Sequence, residues 1–211
     1  MRRVTVDPDA PQRDAIEEAA KWILAGGIVA IPTDTLYGLA VDPFRADAVR
    51  RLFDVKGRPE DRGLPLIAAD VGQVETGMMP LSPLAVRLAA CFWPGPLTIV
   101  VPAPAALAAG VTAGSGSVAV RVPAHDVARR ICRSAGRPVT ATSANISGQD
   151  ATADPDEVER TLGDRIDLLI DTGNTRGGAP STIVDATTAE PRLIRAGAIR
   201  WDEIERCLHR G

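Results

Sequence analysis

The stretch IVAIPTDTLYGL, Ile28 to Leu39, decides the fold class. Ile28 to Ile31 is a short unbroken apolar run, bounded by Gly26-Gly27 and by Pro32, and such a run predicts a buried strand. Upstream, Ile16, Ala19, Ala20, Ile23 and Leu24 recur at helical spacing within Arg13 to Leu24, and Gly26-Gly27 supplies the stop. Downstream, Pro32 ends the strand and opens PTDTLYGL, a loop rich in hydroxyls. The loop at a strand end is where α/β folds place the groups that hold ligands.

The same reading extends along the chain. A second helix is predicted near Ala46 to Val55, with Val49, Leu52 and Phe53 turned inward, and a strand over Leu66 to Ala69. Ser82-Pro83 is a helix start, a capping hydroxyl followed by a proline that the first turn tolerates, leading through Leu84, Leu88 and Phe92 to the stop WPGP. Leu97 to Val101 is a β-branched run, and Val118 to Val122 is a further strand. The Ala/Gly/Pro-rich stretch between them, Pro102 to Gly116, reads as a surface excursion. Asp126 to Ala135 predicts a helix closed by Gly136, Val139 begins a strand that enters TSANISG, and Asp154-Pro155 opens another helix. Leu168 to Ile170, Thr182 to Val184 and Leu193 to Ile194 are short strand candidates before a last helix around Glu203 to Leu208. Mixing βα units with adjacent strands predicts an α/β fold, a mixed twisted sheet with packed helices, in one domain over residues 1–211.

Composition excludes several functional classes. With 45% hydrophobic residues in 211, the chain can bury one substantial core. A net charge of -3 argues against a surface built as a whole to neutralise nucleic-acid phosphates. Cys91, Cys132 and Cys207 are scattered, odd in number and without a CxxC pair, so neither a disulfide framework nor a zinc site is expected, and a reducing cytosol fits. MRRVTVDPDAPQ lacks the apolar core of a signal peptide, and no later run is long enough to span a membrane. His125 and His209 are the only histidines, which leaves a Ser-His-Asp or Cys-His unit almost nothing to draw on. His125, after Val122-Pro123-Ala124, reads as a helix-entry residue.

Other residues carry more chemical information. Lys21 and Lys56 are the only lysines among 24 basic residues, so a lysine at position 56, in KGRP, stands out. An ammonium suits a phosphate oxygen as a point charge, while Arg58 offers a planar fork for two oxygens. The alternative for Lys56 is an exposed cation at a helix end, favoured there by the helix dipole. No Walker loop and no GxGxxG follows the first strand, so a nucleotide site must be built differently. TSANISG gathers Thr142, Ser143, Asn145 and Ser147 at a strand end, either as small donors for phosphate or as an ordinary turn. Arg121 is the odd member of VAVRV: alternation puts it with Ala119 on one face, where it is either solvated or suited to a small carboxylate. Ser181 opens the strand STIVD and Arg195 closes LIR.

PTDTLYGL, KGRP, WPGPLT, VAVRVP, TSANISG and STIVD, in that order over nearly the whole chain, resemble the YrdC-like family. Its Lys-x-Arg and Ser-x-Asn signature is matched by Lys56, Arg58, Ser143 and Asn145. The resemblance implies a twisted α/β sheet around a deep cavity and an enzyme that makes threonylcarbamoyl-AMP from L-threonine, bicarbonate and ATP, for tRNA modification by partner proteins. It implies catalytic roles for Lys56, Arg58, Ser143 and Asn145, and an ATP site formed by these four with Ser117 and Arg195. It assigns threonine to Thr35, Arg121 and Ser181, and it implies Mg²⁺ arriving with ATP and no metal site of the protein's own. Two departures are local: Ala196 stands where many members have proline, and KGRPEDRGLPL is longer than the common form before its Pro-Leu. The rival expectations are a double-stranded RNA or tRNA-binding module without chemistry, against which the scarcity of aromatics for base stacking counts, and a relative of carbamoyl-adenylate-handling carbamoyltransferases.

Overall fold

The computed structural model describes residues 1–78 and 80–209. The strands are β1 (Arg2–Thr5), β2 (Val29–Ile31), β3 (Gly38–Ala40), β4 (Leu66–Ile67), β5 (Leu97–Pro102), β6 (Ser117–Arg121), β7 (Val139–Thr140), β8 (Thr142–Ser143), β9 (Leu168–Asp171), β10 (Thr182–Asp185) and β11 (Arg192–Arg195). The helices are α1 (Arg13–Leu24), α2 (Ala46–Lys56), α3 (Val71–Gly77), α4 (Pro83–Phe92), α5 (Ala109–Thr112), α6 (Asp126–Ala135), α7 (Pro155–Leu162) and α8 (Trp201–His209).

The architecture is mixed α/β, and its strands divide between two sheets. One runs β1-β9-β2-β3-β8 and the other β11-β10-β5-β6-β4-β7. Each contains parallel and antiparallel pairs: β9 lies parallel to β2 while β2 and β3 are antiparallel, and β10 lies parallel to β5 while β5 and β6 are antiparallel. The unbroken apolar run at residues 28–31 has a direct cause. Val29 and Ile31 belong to a core beneath α1 and α6, whereas Ile28 and Ala30 belong to the larger core that includes Leu52, Phe53, Leu97 and Val120. Successive side chains therefore enter opposite cores, and a strand buried on both faces needs apolar residues at every position. Each fully buried Ile or Leu contributes about 1.5–3 kcal/mol.

Helix ends follow local chemistry. The Ser82 hydroxyl accepts from the Ala85 amide at 3.2 Å, and the Asp154 carboxylate caps α7 through the Asp156 amide at 2.9 Å. Gly136, at φ 67°, closes α6 in the left-handed conformation that glycine adopts without strain.

Two expectations need correction. Residues 102–116 are a surface excursion only in part: most are exposed or half-buried, but Leu107, Ala108 and Val111 are buried, and Gly110 packs so closely on Phe53 and Val49 that an added Cβ would stand 2.9 Å from the Phe53 ring. Nor are the cysteines all free. Cys91 on α4 and Cys207 on α8 form a disulfide, because these two helices pack together with the two Cα atoms 6.5 Å apart, while Cys132 is free and buried. A separation of 116 residues hides this pair from any spacing rule. No described helix is long and apolar enough to cross a membrane.

Candidate active site

A cavity of about 480 Å³ takes its wall from both sheets. The first sheet contributes the turn after β2, through Thr33 and Thr35, and Ser143 of β8; the second contributes Ser117 and Arg121 of β6, Ser181 before β10 and Arg195 of β11. Arg58, just past the end of α2, completes the polar wall. Seven of the nine residues singled out from the sequence thus line one cavity: Thr35, Arg58, Ser117, Arg121, Ser143, Ser181 and Arg195. Lys56 and Asn145 do not line it, and Asn145 lines a second pocket with Gln149 and Thr152.

Lys56 is 1% exposed, so it is no exposed helix-end cation. Its ammonium donates to the main-chain carbonyl of Ser143, to that of Asn145 at 2.7 Å and to Asn145 Oδ1 at 3.2 Å. Three N–H groups meet three oxygens, which leaves none for a phosphate. The Lys56 carbonyl also accepts from the Ser147 amide at 2.8 Å, so this one residue fixes the TSANISG turn through both main chain and side chain. Ser143 Oγ donates to Asn145 Oδ1, and Asn145 Nδ2 donates to Gln149 O at 2.6 Å and Ile146 O at 3.1 Å. Burial, with the like charge of Arg58 nearby, pushes the Lys56 ammonium down to about 8.

Arg58 reaches back to its own loop, to Arg62 O at 3.2 Å and Gly63 O at 2.9 Å. Arg195 donates to Ser181 O at 2.6 Å and to Ser181 Oγ at 3.2 Å, while Ser181 Oγ and Thr98 Oγ1 are 2.8 Å apart. Gly197 permits this seating: a Cβ there would lie 2.3 Å from Pro180 O. Burial lowers the proton affinity of both Arg58 and Arg195, and the like charge of Arg62 adds to the effect at Arg58.

Elsewhere in the wall, Arg121 Nη1 stands 3.0 Å from Asp34 Oδ1 with both side chains more than nine-tenths buried, so Arg121 is not a solvated strand residue. Asp34 and Thr98 escaped the sequence reading. Both lie inside quoted motifs, PTDTLYGL and WPGPLT, but their partners Arg121 and Ser181 are distant in sequence. The site can therefore offer three guanidinium groups and several hydroxyls to anions.

A family model, Sua5/YciO/YrdC, described as Telomere recombination, matches residues 21–197. The chain belongs to the Sua5/YciO/YrdC family. Within this family it is 39% identical to the threonylcarbamoyl-AMP synthase of Pyrococcus abyssi over 93% of its own length and 59% of that protein. It is also 39% identical to the threonylcarbamoyl-AMP synthase of Vibrio vulnificus strain YJ016, over 86% of its length and 98% of that protein. The crystal structure of Pyrococcus abyssi Sua5 complexed with L-threonine superposes with a TM-score of 0.93 at 37% identity, over 99% of this chain and 61% of that one. The chain thus spans less than two thirds of its Pyrococcus relative in the Sua5/YciO/YrdC family.

Proposed function

We propose that the chain is a threonylcarbamoyl-AMP synthase, which joins L-threonine, bicarbonate and ATP into L-threonylcarbamoyl-adenylate and releases pyrophosphate. The observation that carries this reading is one cavity walled by three guanidinium groups, Arg58, Arg121 and Arg195, with the hydroxyls of Thr35, Ser117, Ser143 and Ser181. In this reading Arg121, Ser181 and Thr35 take the carboxylate and hydroxyl of threonine, and Arg58, Ser117, Ser143 and Arg195 take the phosphates of ATP. The relatives named above support the assignment.

Chemically, the threonine ammonium gives up a proton and its nitrogen takes carbon dioxide derived from bicarbonate. A carbamate oxygen then attacks the α-phosphorus of ATP, and the bond to the pyrophosphate oxygen breaks. No protein nucleophile is needed, so rate comes from alignment and from charge stabilisation, with Arg58 facing the growing negative charge on pyrophosphate. Lys56 acts in this reading by fixing the turn that carries Ser143 and Asn145.

Among the described residues no three His, Cys, Asp or Glu side chains converge to hold a metal ion. In this reading Mg²⁺ enters on the phosphates of ATP. The adenylate would pass to tRNA-modifying partner proteins in the cytoplasm. The Cys91–Cys207 bond stands against that compartment, since cytosolic thiols are ordinarily kept reduced. With a net charge of -3, any contact with tRNA or double-stranded RNA would be local.

The direct test is pyrophosphate release by the purified chain with each substrate omitted in turn. Release is expected only when threonine, bicarbonate and ATP are all present, and equal release without threonine or without bicarbonate would sink the reading. A pH series adds an independent check. Turnover is expected to fall as pH rises through about 8, because a neutral Lys56 amine has two N–H groups for three oxygens. Stability should move the other way. Between about 8 and the ordinary 10.5 the unfolded chain keeps a proton that the folded one has released, so this group favours folding more as pH rises. An alkaline loss of activity that tracks unfolding would contradict the assignment.

A further inference from the structure

The buried polar side-chain atoms without a hydrogen-bond partner among the described residues belong to four residues: Asp34 through both oxygens, Arg121 through Nη1, His125 through Nδ1 and Arg129 through Nε. Buried polar atoms in folded proteins are nearly always paired, so exceptions that include a residue of the cavity wall, Arg121, call for a functional cause. Asp34 and Arg121 are the closest pair, 3.0 Å apart with side chains 6% and 8% exposed. That separation makes an ion pair, but the contact lacks the alignment of a hydrogen bond, since Nη1 and Oδ1 both remain without one.

The local turn explains the placement. Thr33 Oγ1 donates to Leu36 O at 2.7 Å, accepts from the Thr35 amide at 3.2 Å and lies 3.1 Å from Thr35 Oγ1. Thr33 and Thr35 consequently line the cavity, while Asp34, between them, is directed behind it to Arg121. Both Asp34 oxygens are fully buried, so this carboxylate meets no substrate directly. Arg121, by contrast, forms part of the cavity wall, and its Nη1 has no hydrogen-bond partner among the described residues. The like charge of Arg195 also bears on it.

We infer that Asp34 is a positioning residue for the substrate carboxylate: it holds the Arg121 guanidinium at the cavity wall by its charge on the buried Nη1, leaving the rest of the guanidinium for the carboxylate of threonine. The inference rests on the threonine reading above. A missing aspartate would leave two guanidinium groups, Arg121 and Arg195, to repel one another across the wall.

The experiment is a calorimetric titration of the full chain with L-threonine, and separately with ATP, for the wild type, Asp34→Asn, Arg121→Gln and the double variant. Asp34→Asn is expected to lose at least about tenfold in threonine affinity with ATP affinity unchanged. The double variant is expected to bind threonine no more weakly than Arg121→Gln alone, because Asp34 acts only through Arg121. Wild-type threonine affinity in Asp34→Asn, or a double variant whose loss is the product of the two single losses, would overturn the role of Asp34. If Asp34→Asn does not fold, Arg121→Gln and the double variant, which buries no lone charge, carry the same comparison. A wild type that binds no threonine overturns the functional reading and this inference with it; when the wild type binds threonine, the variants test Asp34 alone.

Discussion

Lys56→Arg is expected to cut turnover by about a hundredfold or more while the chain stays folded. Charge is retained, so the effect isolates geometry. The Lys56 ammonium is enclosed by three oxygens, two of them main-chain carbonyls at Ser143 and Asn145. A point-like ammonium directs three bonds into that space, whereas a guanidinium is a flat fork whose donors diverge in one plane. Forcing it into a position that is 1% exposed shifts the turn, at a packing cost of about 1–3 kcal/mol. Ser143 lines the cavity, so a shift of about 1 Å moves it out of line with the reacting phosphate, and such a misplacement costs about a hundredfold. The measurement is pyrophosphate release with saturating ATP, threonine and bicarbonate, beside a thermal melt. Wild-type turnover by a folded variant would remove Lys56 from the machinery altogether.

Arg121→Ala is expected to act on stability and on binding together. Removing the guanidinium leaves Asp34 as a buried charge without its partner, and breaking a buried pair in this way costs about 3–5 kcal/mol. It also removes the cation assigned to threonine, which weakens binding by at least about tenfold, since a hydrogen bond to a charged group is worth about 1.5–3 kcal/mol. Denaturant unfolding reads the first effect and threonine calorimetry the second. Unchanged threonine affinity in a folded variant would reject the carboxylate role; unchanged stability would mean that Asp34 finds another partner or a proton.

The sequence made some of this legible and hid the rest for identifiable reasons. α1 and α6 could be read because each buries one stripe at helical spacing and ends near a glycine. The strand at 28–31 could be read because both its faces are covered. The division into two sheets could not, since it depends on pairings such as β1 with β9, where Arg2 lies beside Leu168. β3 escaped because Gly38–Ala40 becomes a strand only between β2 and β8. In the site, Arg121 was conspicuous as a cation in an apolar strand and Lys56 as a rare lysine. Their partners were not, because Asp34, Ser143 and Asn145 reach them across folds of the chain.

The cavity's divided wall has a mechanical consequence. Thr35 and Ser143 hang from one sheet, while Ser117, Arg121 and Arg195 are built into the other. Any ligand gripping both sets is a cross-brace between two halves of the molecule. Occupancy and the docking of the sheets are then linked reciprocally: whatever tightens one tightens the other by the same free energy. A ligand present at about a hundred times its dissociation constant adds about 2.7 kcal/mol against unfolding. By the same linkage, a core substitution that loosens the sheets far from the cavity should lower affinity without touching a single group that meets the ligand.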